Sequence, residues 1–374
     1  MAVEDVEVGL QLLVGAEAFW DRARSDIAAA HRRVLIQAMS FEGDSAGLAV
    51  AEAIRSSSAT DRRVLVDGYT RVNVNDRAVA SRAARRDPVL RAEVVATDAM
   101  FRTLIGGGVA VRVTNPVQPL GLNYPCRNHK KLIVADDVAY LGGVNFSDHN
   151  FAWPDLMLRL DGSKAADFLA RDFERTFSAH SAPAKVDLGP VRLIALDGRS
   201  NGKAFAEIFQ LIGRARREIV VVSPYLTVPF TDALGAAARK GVEVRVLTPW
   251  PNNKPIVRDA LIWAARRRGF GVTLGPVMSH LKGLLIDRDH LVLGSSNFDF
   301  ASLAAEEEFL AIVSDPDVIM EFEKRVIAPA LATAINPAGA SKVNGRAADL
   351  ALRAAALVAT ATRGFPRRAI DWPS

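Results

Sequence analysis

The chain reads Asn-His-Lys-Lys-Leu-Ile-Val-Ala-Asp at residues 128–136 and Ser-His-Leu-Lys-Gly-Leu-Leu-Ile-Asp at residues 279–287. Both have the form His-x-Lys-x-x-x-x-Asp: His129, Lys131 and Asp136, then His280, Lys282 and Asp287. Each runs into an apolar segment, a turn of small residues and an asparagine: Leu141-Gly142-Gly143-Val144-Asn145, then Leu293-Gly294-Ser295-Ser296-Asn297. One such match carries little weight. Two with matching surroundings point to an internal duplication. Leu132 to Val134 and Leu284 to Ile286 are apolar and partly β-branched, the pattern of buried strands. Side chains two apart on a strand share a face, so each His–Lys pair points into one pocket. The Asp has the opposite parity and stands near the strand end. Bracing backbone suits it there better than attacking a substrate.

Outward from the motifs, helices and strands alternate with short connections, which predicts α/β layering. A lead-in strand over 10–14 precedes a helix over 16–31, a strand over 34–39, a helix over 46–55 and a strand over 63–67. Residues 76–104 read as an Arg-rich helical stretch broken at Pro88, followed by a strand over 109–113. After the first motif come a strand over 156–160 and a helix over 164–180. Periodicity breaks over 183–189, and the order then repeats. The second half has helices over 203–216, 231–240 and 255–268, and a helix over 316–328 ended by Pro329. The expected organisation is an N-terminal half, 1–182, a C-terminal half, 183–335, and a helical tail, 336–374. Two similar halves related by a pseudo-twofold axis would bring both His–Lys pairs into one cleft. The tail is expected either to dock or to lie on a membrane surface, with Arg363, Arg367 and Arg368 beside Phe365 and Trp372.

Composition narrows the function classes. Of 374 residues, 49% are apolar, enough for a large core, and 24% are charged, ordinary for a soluble protein. The net charge of +5 favours anionic partners: phospholipid surfaces, nucleic acid or phosphorylated substrates. The single cysteine, Cys126, excludes an intrachain disulfide and reads as a small buried side chain. The N-terminus lacks a basic region followed by an apolar run, and no stretch approaches the roughly 20 apolar residues that span a bilayer. The expectation is a cytoplasmic chain, peripheral at the inner membrane. No His-Glu-x-x-His run or other ligand cluster calls for a metal, and no cofactor is expected. His31, His149, His180 and His290 read as structural.

These motifs resemble those of the phospholipase D superfamily, whose mark is two His-x-Lys-x4-Asp sequences. The resemblance runs from about Gly9 to Val326 and is carried further by Trp153-Pro154-Asp155, Ser223-Pro224-Tyr225 and Gly294-Ser295-Ser296-Asn297-Phe298-Asp299. Within the superfamily the text looks most like bacterial cardiolipin synthases and related phosphatidyltransferases; phospholipases, nucleases and phosphodiesterases share the motifs. The resemblance implies duplicated α-β-α sandwich halves with pseudo-twofold symmetry and one shared active-site cleft. It also implies a catalytic set of His129, Lys131, Asp136, His280, Lys282 and Asp287, with phosphate bound by Lys131, Asn145, Lys282 and Asn297. Asp155 and Glu308 are implied as the acids that orient the histidines, Glu308 standing in a run, Glu306-Glu307-Glu308.

The chemistry these residue types support is displacement at a phosphodiester. A neutral imidazole attacks phosphorus and forms a phosphoryl-histidine. The opposite histidine, protonated, gives its proton to the leaving alkoxide and later takes one from the incoming alcohol or water. By family habit His129 is the nucleophile and His280 the general acid and base. The expected substrate is phospholipid at an anionic membrane surface, giving cardiolipin by transfer or phosphatidic acid by hydrolysis, with no obligate protein partner. A nuclease is the alternative, although no zinc finger, long basic arm or aromatic stacking series accompanies the motifs.

Overall fold

Alternating apolar positions make the strands, and helices with one apolar face cover them. In the computed structural model, which describes residues 8–118, 121–336 and 344–373, these elements form two large sheets. The first contains β1 (Gly9–Val14), β2 (Arg33–Ala38), β3 (Asp61–Asp67), β4 (Ala110–Thr114), β5 (Leu132–Ala135), β6 (Val138–Gly142) and β7 (Leu156–Asp161). Their order is β1-β7-β6-β5-β2-β3-β4. The second contains β8 (Ala184–Asp187), β9 (Val191–Ala195), β10 (Glu218–Val222), β11 (Glu243–Pro249), β12 (Gly271–Gly275), β13 (Gly283–Ile286), β14 (His290–Gly294) and β15 (Phe309–Val313). Their order is β8-β9-β15-β14-β13-β10-β11-β12, so with β8 set aside the second sheet matches those seven strands of the first one for one.

The register repeats as well. Val34 on β2 faces Ala135 on β5, and Ile219 on β10 faces Ile286 on β13. Ala135 and Ile286 each stand six residues after the motif histidine. In both sheets the strand after the motif turns back antiparallel, while β2-β3-β4 and β10-β11-β12 run parallel.

Strand parity divides the cores. Leu35, Leu132, Val134 and Leu158 of the first sheet join Leu193, Leu285, Leu293 and Phe309 of the second in one continuous apolar cluster. It takes in residues of α4 (Ser163–Phe177) and α8 (Pro316–Phe322). The opposite face of the first sheet, with Ile36 and Ile133, packs on α1 (Ala16–Ala29), α2 (Ser45–Ser56) and α3 (Pro88–Gly106). The opposite face of the second, with Val221 and Leu284, packs on α5 (Asn201–Arg214), α6 (Phe230–Arg239) and α7 (Pro255–Arg268). Each half is therefore an α-β-α sandwich, as the resemblance implied.

Three local readings need correction. Residues 76–104 do not start as helix: Asn73–Val74 and Arg77–Ala78 pair as a small hairpin. Asn75 and Asp76 at its tip both have positive φ, the backbone a tight two-residue hairpin turn requires. Helix resumes at Arg82–Arg86 and, capped by Asp87, at α3. Pro329 does not end its helix. A π turn at Glu323–Ile327 precedes it and helix continues over Ala328–Ala332. The widened turn interrupts the regular hydrogen-bond ladder next to the residue that lacks an N–H.

The tail docks, as the first of its two expected readings has it, and the correction falls on the membrane-surface alternative. The tail helix α9 (Gly345–Ala361) docks on α7, and Cys126 Sγ donates to the Thr362 carbonyl at 3.3 Å. Arg367 and Trp372 do not face a membrane; both are buried. The Arg367 guanidinium donates to the carbonyls of Gly198 and Ala305 at 2.8 and 2.7 Å in the second half. Residues Ala369–Asp371 form β16, which pairs with β4 and extends the first sheet. Trp372 packs on Phe101, ring centroids 4.1 Å apart, and donates to Asp98. The tail thus straps one half to the other.

Candidate active site

Each motif begins where its strand begins. His129 and Lys131 lead into β5, and His280 and Lys282 lead into β13. Their parity places them with Ile133 and Leu284, and all four side chains are buried. Loops from the opposite half hold both histidines. The His129 amide donates to the Glu307 carbonyl at 2.9 Å, and the His280 amide donates to the Pro154 carbonyl at 2.8 Å.

The orienting acids are therefore exchanged between halves. His129 Nδ1 lies 3.0 and 3.2 Å from the carboxylate oxygens of Glu308, and His280 Nδ1 lies 2.8 Å from Asp155 Oδ2. The sequence order, Asp155 after His129 and Glu308 after His280, suggests the reverse pairing. Of the acidic run, Glu308 alone meets His129 Nδ1. Glu307 accepts from Asn115 and stands 4.0 Å from Arg367, and Glu306 lines the cavity.

The two acids are supported differently. Glu308 accepts from the hydroxyls of Ser295 and Ser302 as well as facing His129. Asp155 sits against Gly143, the counterpart of Ser295, where an added Cβ would stand 2.2 Å from its carboxylate. Glycine there makes room for the acid; serine in the other half makes a hydrogen bond to it.

The lysines are packed under the histidines. Lys131 Nζ donates to the His129 carbonyl at 2.7 Å, and Lys282 Nζ to the His280 carbonyl at 2.6 Å. Lys282 Nζ also lies 2.9 and 3.1 Å from the two ring nitrogens of His280. Burial lowers all four basic groups. It takes His129 down to about 4 against the pull of Glu308, and His280 to about 3 with the Lys282 charge adding to the effect. Lys131 falls to about 7 and Lys282 to about 8, also through burial. Both imidazoles are therefore neutral at pH 7. Their acids stay ionised, Asp155 and Glu308 being held below the usual carboxylate range despite burial by the cations around them.

His129, His280, Asn145 and Asn297 line one cavity of about 240 Å³, with Tyr69, Asp76, Trp153, Tyr225, Lys254 and Glu306 among its other walls. Asn145 Oδ1 accepts from the Ser40 amide at 3.2 Å, while Asn297 Oδ1 is buried without a partner among the described residues. The ring of Trp153 lies 6.1 Å from that of His280, and Tyr225 lies 6.0 Å from it on another side. His149 packs edge-on against Trp153.

Asp136 and Asp287 stand apart from this cavity. Asp136 accepts from the amides of His31, Arg32 and Arg33, all at 2.9 Å. Asp287 accepts from those of Arg216, Arg217 and Glu218 at 2.8–3.0 Å. Each ends its strand with positive φ and ties it to the segment entering β2 or β10. Both carboxylates thus bind backbone amides at the strand ends and do not line the cavity, in keeping with their parity.

Sequence reasoning missed the walls formed by Asp76, Lys254 and Asn253. Asp76 accepts from Tyr69 Oη at 3.2 Å and from Asn253 at 3.0 Å, linking the two halves beside the cavity. The Asn75-Asp76 turn dipeptide was the available signal. Among the described residues, two groups bring three potential ligand atoms within 4.8 Å of one another: His129, Glu306 and Glu308, and Glu42, Asp44 and Glu93. In the first, the His129–Glu308 contact is the hydrogen bond described above.

Comparison with known proteins bears on the family and the fold. Residues 208–328 match the family described as cardiolipin synthase, PLD-like domain. The minor cardiolipin synthase ClsB of Bacillus subtilis is 29% identical over 240 residues, covering 58% of this chain and 59% of that protein. Cardiolipin synthase B of Escherichia coli K12 is 25% identical over 340 residues, covering 82% of this chain and 76% of that one. The chain spans less than two thirds of the length of the Bacillus relative. Phosphatidylserine synthase of Haemophilus influenzae has the same fold, with a TM-score of 0.67 at 15% identity over 95% of this chain and 94% of that one. The resemblance to the phospholipase D superfamily, and within it to cardiolipin synthases, therefore stands, as does the duplicated α/β fold.

Proposed function

We propose that this phospholipase D-like chain is a phosphatidyltransferase of the cardiolipin synthase kind, acting on phospholipids through a phosphohistidine. The observation that carries the reading is the pair of imidazoles in one cavity, each fixed through Nδ1 by a carboxylate from the opposite half. In His129 a proton on Nδ1, donated to Glu308, leaves the Nε2 lone pair for the cavity; in His280 the Nε2 atom also has Lys282 Nζ at 3.1 Å. In the first step His129 Nε2 bonds to phosphorus, the bond to the departing alcohol oxygen breaks, and protonated His280 gives that oxygen its proton. In the second, the incoming hydroxyl passes its proton to His280, its oxygen bonds to phosphorus, and the P–N bond breaks. With phosphatidylglycerol as both donor and acceptor the products are cardiolipin and glycerol; with water as acceptor the product is phosphatidic acid. Lys131, Lys282, Asn145 and Asn297 would surround the non-bridging oxygens, where charge grows in the transition state.

The substrate phosphate also favours the proton that the mechanism requires. One imidazole must be protonated, and burial resists that; an anion between the rings favours it. Among the described residues no helix is long and apolar enough to cross a membrane. We read the protein as peripheral, with the exposed Leu350, Leu357 and Val358 of α9 offering an apolar strip toward lipid. The test is a product assay with chelator present. Purified protein is incubated with vesicles of phosphatidylglycerol, phosphatidylethanolamine and phosphatidylcholine, and lipids are identified by mass spectrometry. Cardiolipin is the expected product, absent with His129→Ala and with His280→Ala. No lipid change relative to those variants, with cleavage of single-stranded or duplex DNA instead, would overturn the lipid reading.

A further inference from the structure

We propose that Lys254 anchors a second phosphate, so that the alcohol this site accepts best is one already carrying a phosphodiester beyond the reacting hydroxyl. The inference rests on the phosphatidyltransferase reading and narrows its acceptor. Lys254 is the only lysine or arginine lining the cavity among the described residues. It takes no part in the groups gathered under the reacting phosphate: Lys131 and Lys282 are wholly buried beneath the histidines, whereas Lys254 is exposed at the mouth. Its ammonium lies over the ring of Tyr225, 4.3 Å from the centroid, and the Tyr225 ring lies 6.0 Å from that of His280. The ammonium is thus separated from the proton-transferring imidazole by at most the sum of those two distances. A three-carbon diol with a phosphate at its far end can bridge that gap.

The carboxylates that share the cavity are already engaged. Asp76 accepts from Tyr69 and Asn253, Asp299 caps the helix Phe300–Ala304 through the Ser302 amide, and Glu306 accepts weakly from the Ser302 hydroxyl. Burial also raises Asp299 to about 6 and Glu306 well above the usual range, so Glu306 does little to offset a neighbouring cation. Lys254 forms no ion pair within 4 Å among the described residues; Asp299 and Glu306 feel its charge from farther away, so no direct contact has to be broken for a ligand phosphate to reach it. The same placement disfavours cationic alcohols. The aromatic face that a quaternary ammonium would seek is taken by the protein's own ammonium. Choline and ethanolamine heads would meet like charge, whereas the glycerol hydroxyls of a phosphatidylglycerol head would meet Asn253 and Asp76 on the way to Lys254.

The experiment offers two acceptors in competition. Vesicles of phosphatidylglycerol are incubated with the full chain in the presence of ethanol, and cardiolipin and phosphatidylethanol are quantified together. Ethanol reacts through the same hydroxyl chemistry but carries no phosphate. For Lys254→Met we expect the cardiolipin-to-phosphatidylethanol ratio to fall about tenfold or more, the usual consequence of losing one charge-assisted hydrogen bond. Lys254→Arg, which keeps the charge, should hold the ratio near that of the unaltered protein. A ratio unchanged in Lys254→Met, whether or not the total rate falls, would overturn the inference. Absence of any lipid product from the unaltered protein would remove the underlying reading, and the inference with it.

Discussion

Replacing Glu308 by glutamine tests the exchanged acids most directly. The carboxylate is buried and acceptor-only, and it faces His129 Nδ1 at 3.0 and 3.2 Å while accepting from Ser295 and from Ser302 at 2.6 Å. Glutamine has the same shape but one acceptor oxygen and an NH₂. If that NH₂ turns to His129, Nδ1 must become the acceptor and the proton moves to Nε2, the atom required for attack. If the oxygen keeps His129, a serine hydroxyl loses its acceptor. The second outcome costs stability of about 1–3 kcal/mol for an orphaned buried group. The first removes the nucleophilic tautomer, and we expect a turnover loss of roughly 10²–10⁴-fold, or about 3–5.5 kcal/mol in the barrier. Cardiolipin formation on phosphatidylglycerol vesicles measures the loss. Nitrogen-15 NMR of labelled histidine locates it: the His129 ring signals should move and those of His280 should not. Glu308→Gln with more than a tenth of normal turnover, or with His280 rather than His129 perturbed, would refute the exchange.

Further outcomes follow from burial of the cationic groups. Lys131 falls to about 7 and Lys282 to about 8, so kcat/KM should decline as pH rises through 7–8 and the ammonium groups lose protons; Lys131→Arg should move that limb upward. A rate flat to pH 9.5 would show that phosphate binding needs neither charge. His129 is depressed to about 4 from an unfolded value near 6.5, so between those values the unfolded chain binds more protons. Stability contributed by the neutral ring is present above pH 6.5 and lost as pH falls toward 4, by at most about 3 kcal/mol. Thermal melts at pH 7 and pH 4.5 should show a smaller acid penalty in His129→Gln than in the unaltered protein, and an equal penalty would contradict this. Lys130 and Asp172 form a wholly buried ion pair at 2.7 Å. Lys130→Leu alone should cost about 3–5 kcal/mol in urea unfolding. Adding Asp172→Leu should recover most of it, because the second half already places Leu281 at the matching position.

The sheets were legible in the sequence because two periodicities coincide there. Strand runs such as Leu132 to Val134 alternate faces, and the same runs recur in the same order across the repeat. Pro255–Arg268 has the bounds its pattern implies. Asp136 and Asp287 could be set apart from the reacting groups by parity alone. What the sequence hides is docking between halves. Nothing in the order of Asp155 and Glu308 says which histidine each meets; backbone bonds from His129 to Glu307 and from His280 to Pro154 decide it. Lys254 was invisible for a similar reason. It sits in a loop of Pro and Asn with no motif around it, and only folding brings it over Tyr225. The hairpin at 73–78 was lost within an Arg-rich stretch whose overall composition favours helix. The strand Ala369–Asp371 is too short for periodicity to show.

The two sides of the repeat have parted company on their inner face, behind the motifs. In the first half Gln37, Asn128, Lys130 and Asp172 fill that space with hydrogen bonds and a buried charge pair. In the second, Val222, Ser279 and Leu281 border an open, mostly apolar hollow of about 260 Å³ with Arg325 at its edge. A symmetric dimer of identical chains would be forced to carry one solution on both sides. Joining the halves in a single polypeptide frees each copy to mutate independently while the exchanged acids keep both answerable to one reaction. Duplication here has supplied one site with two dissimilar walls, and dissimilar walls are what a reaction with a donor and a different acceptor can use.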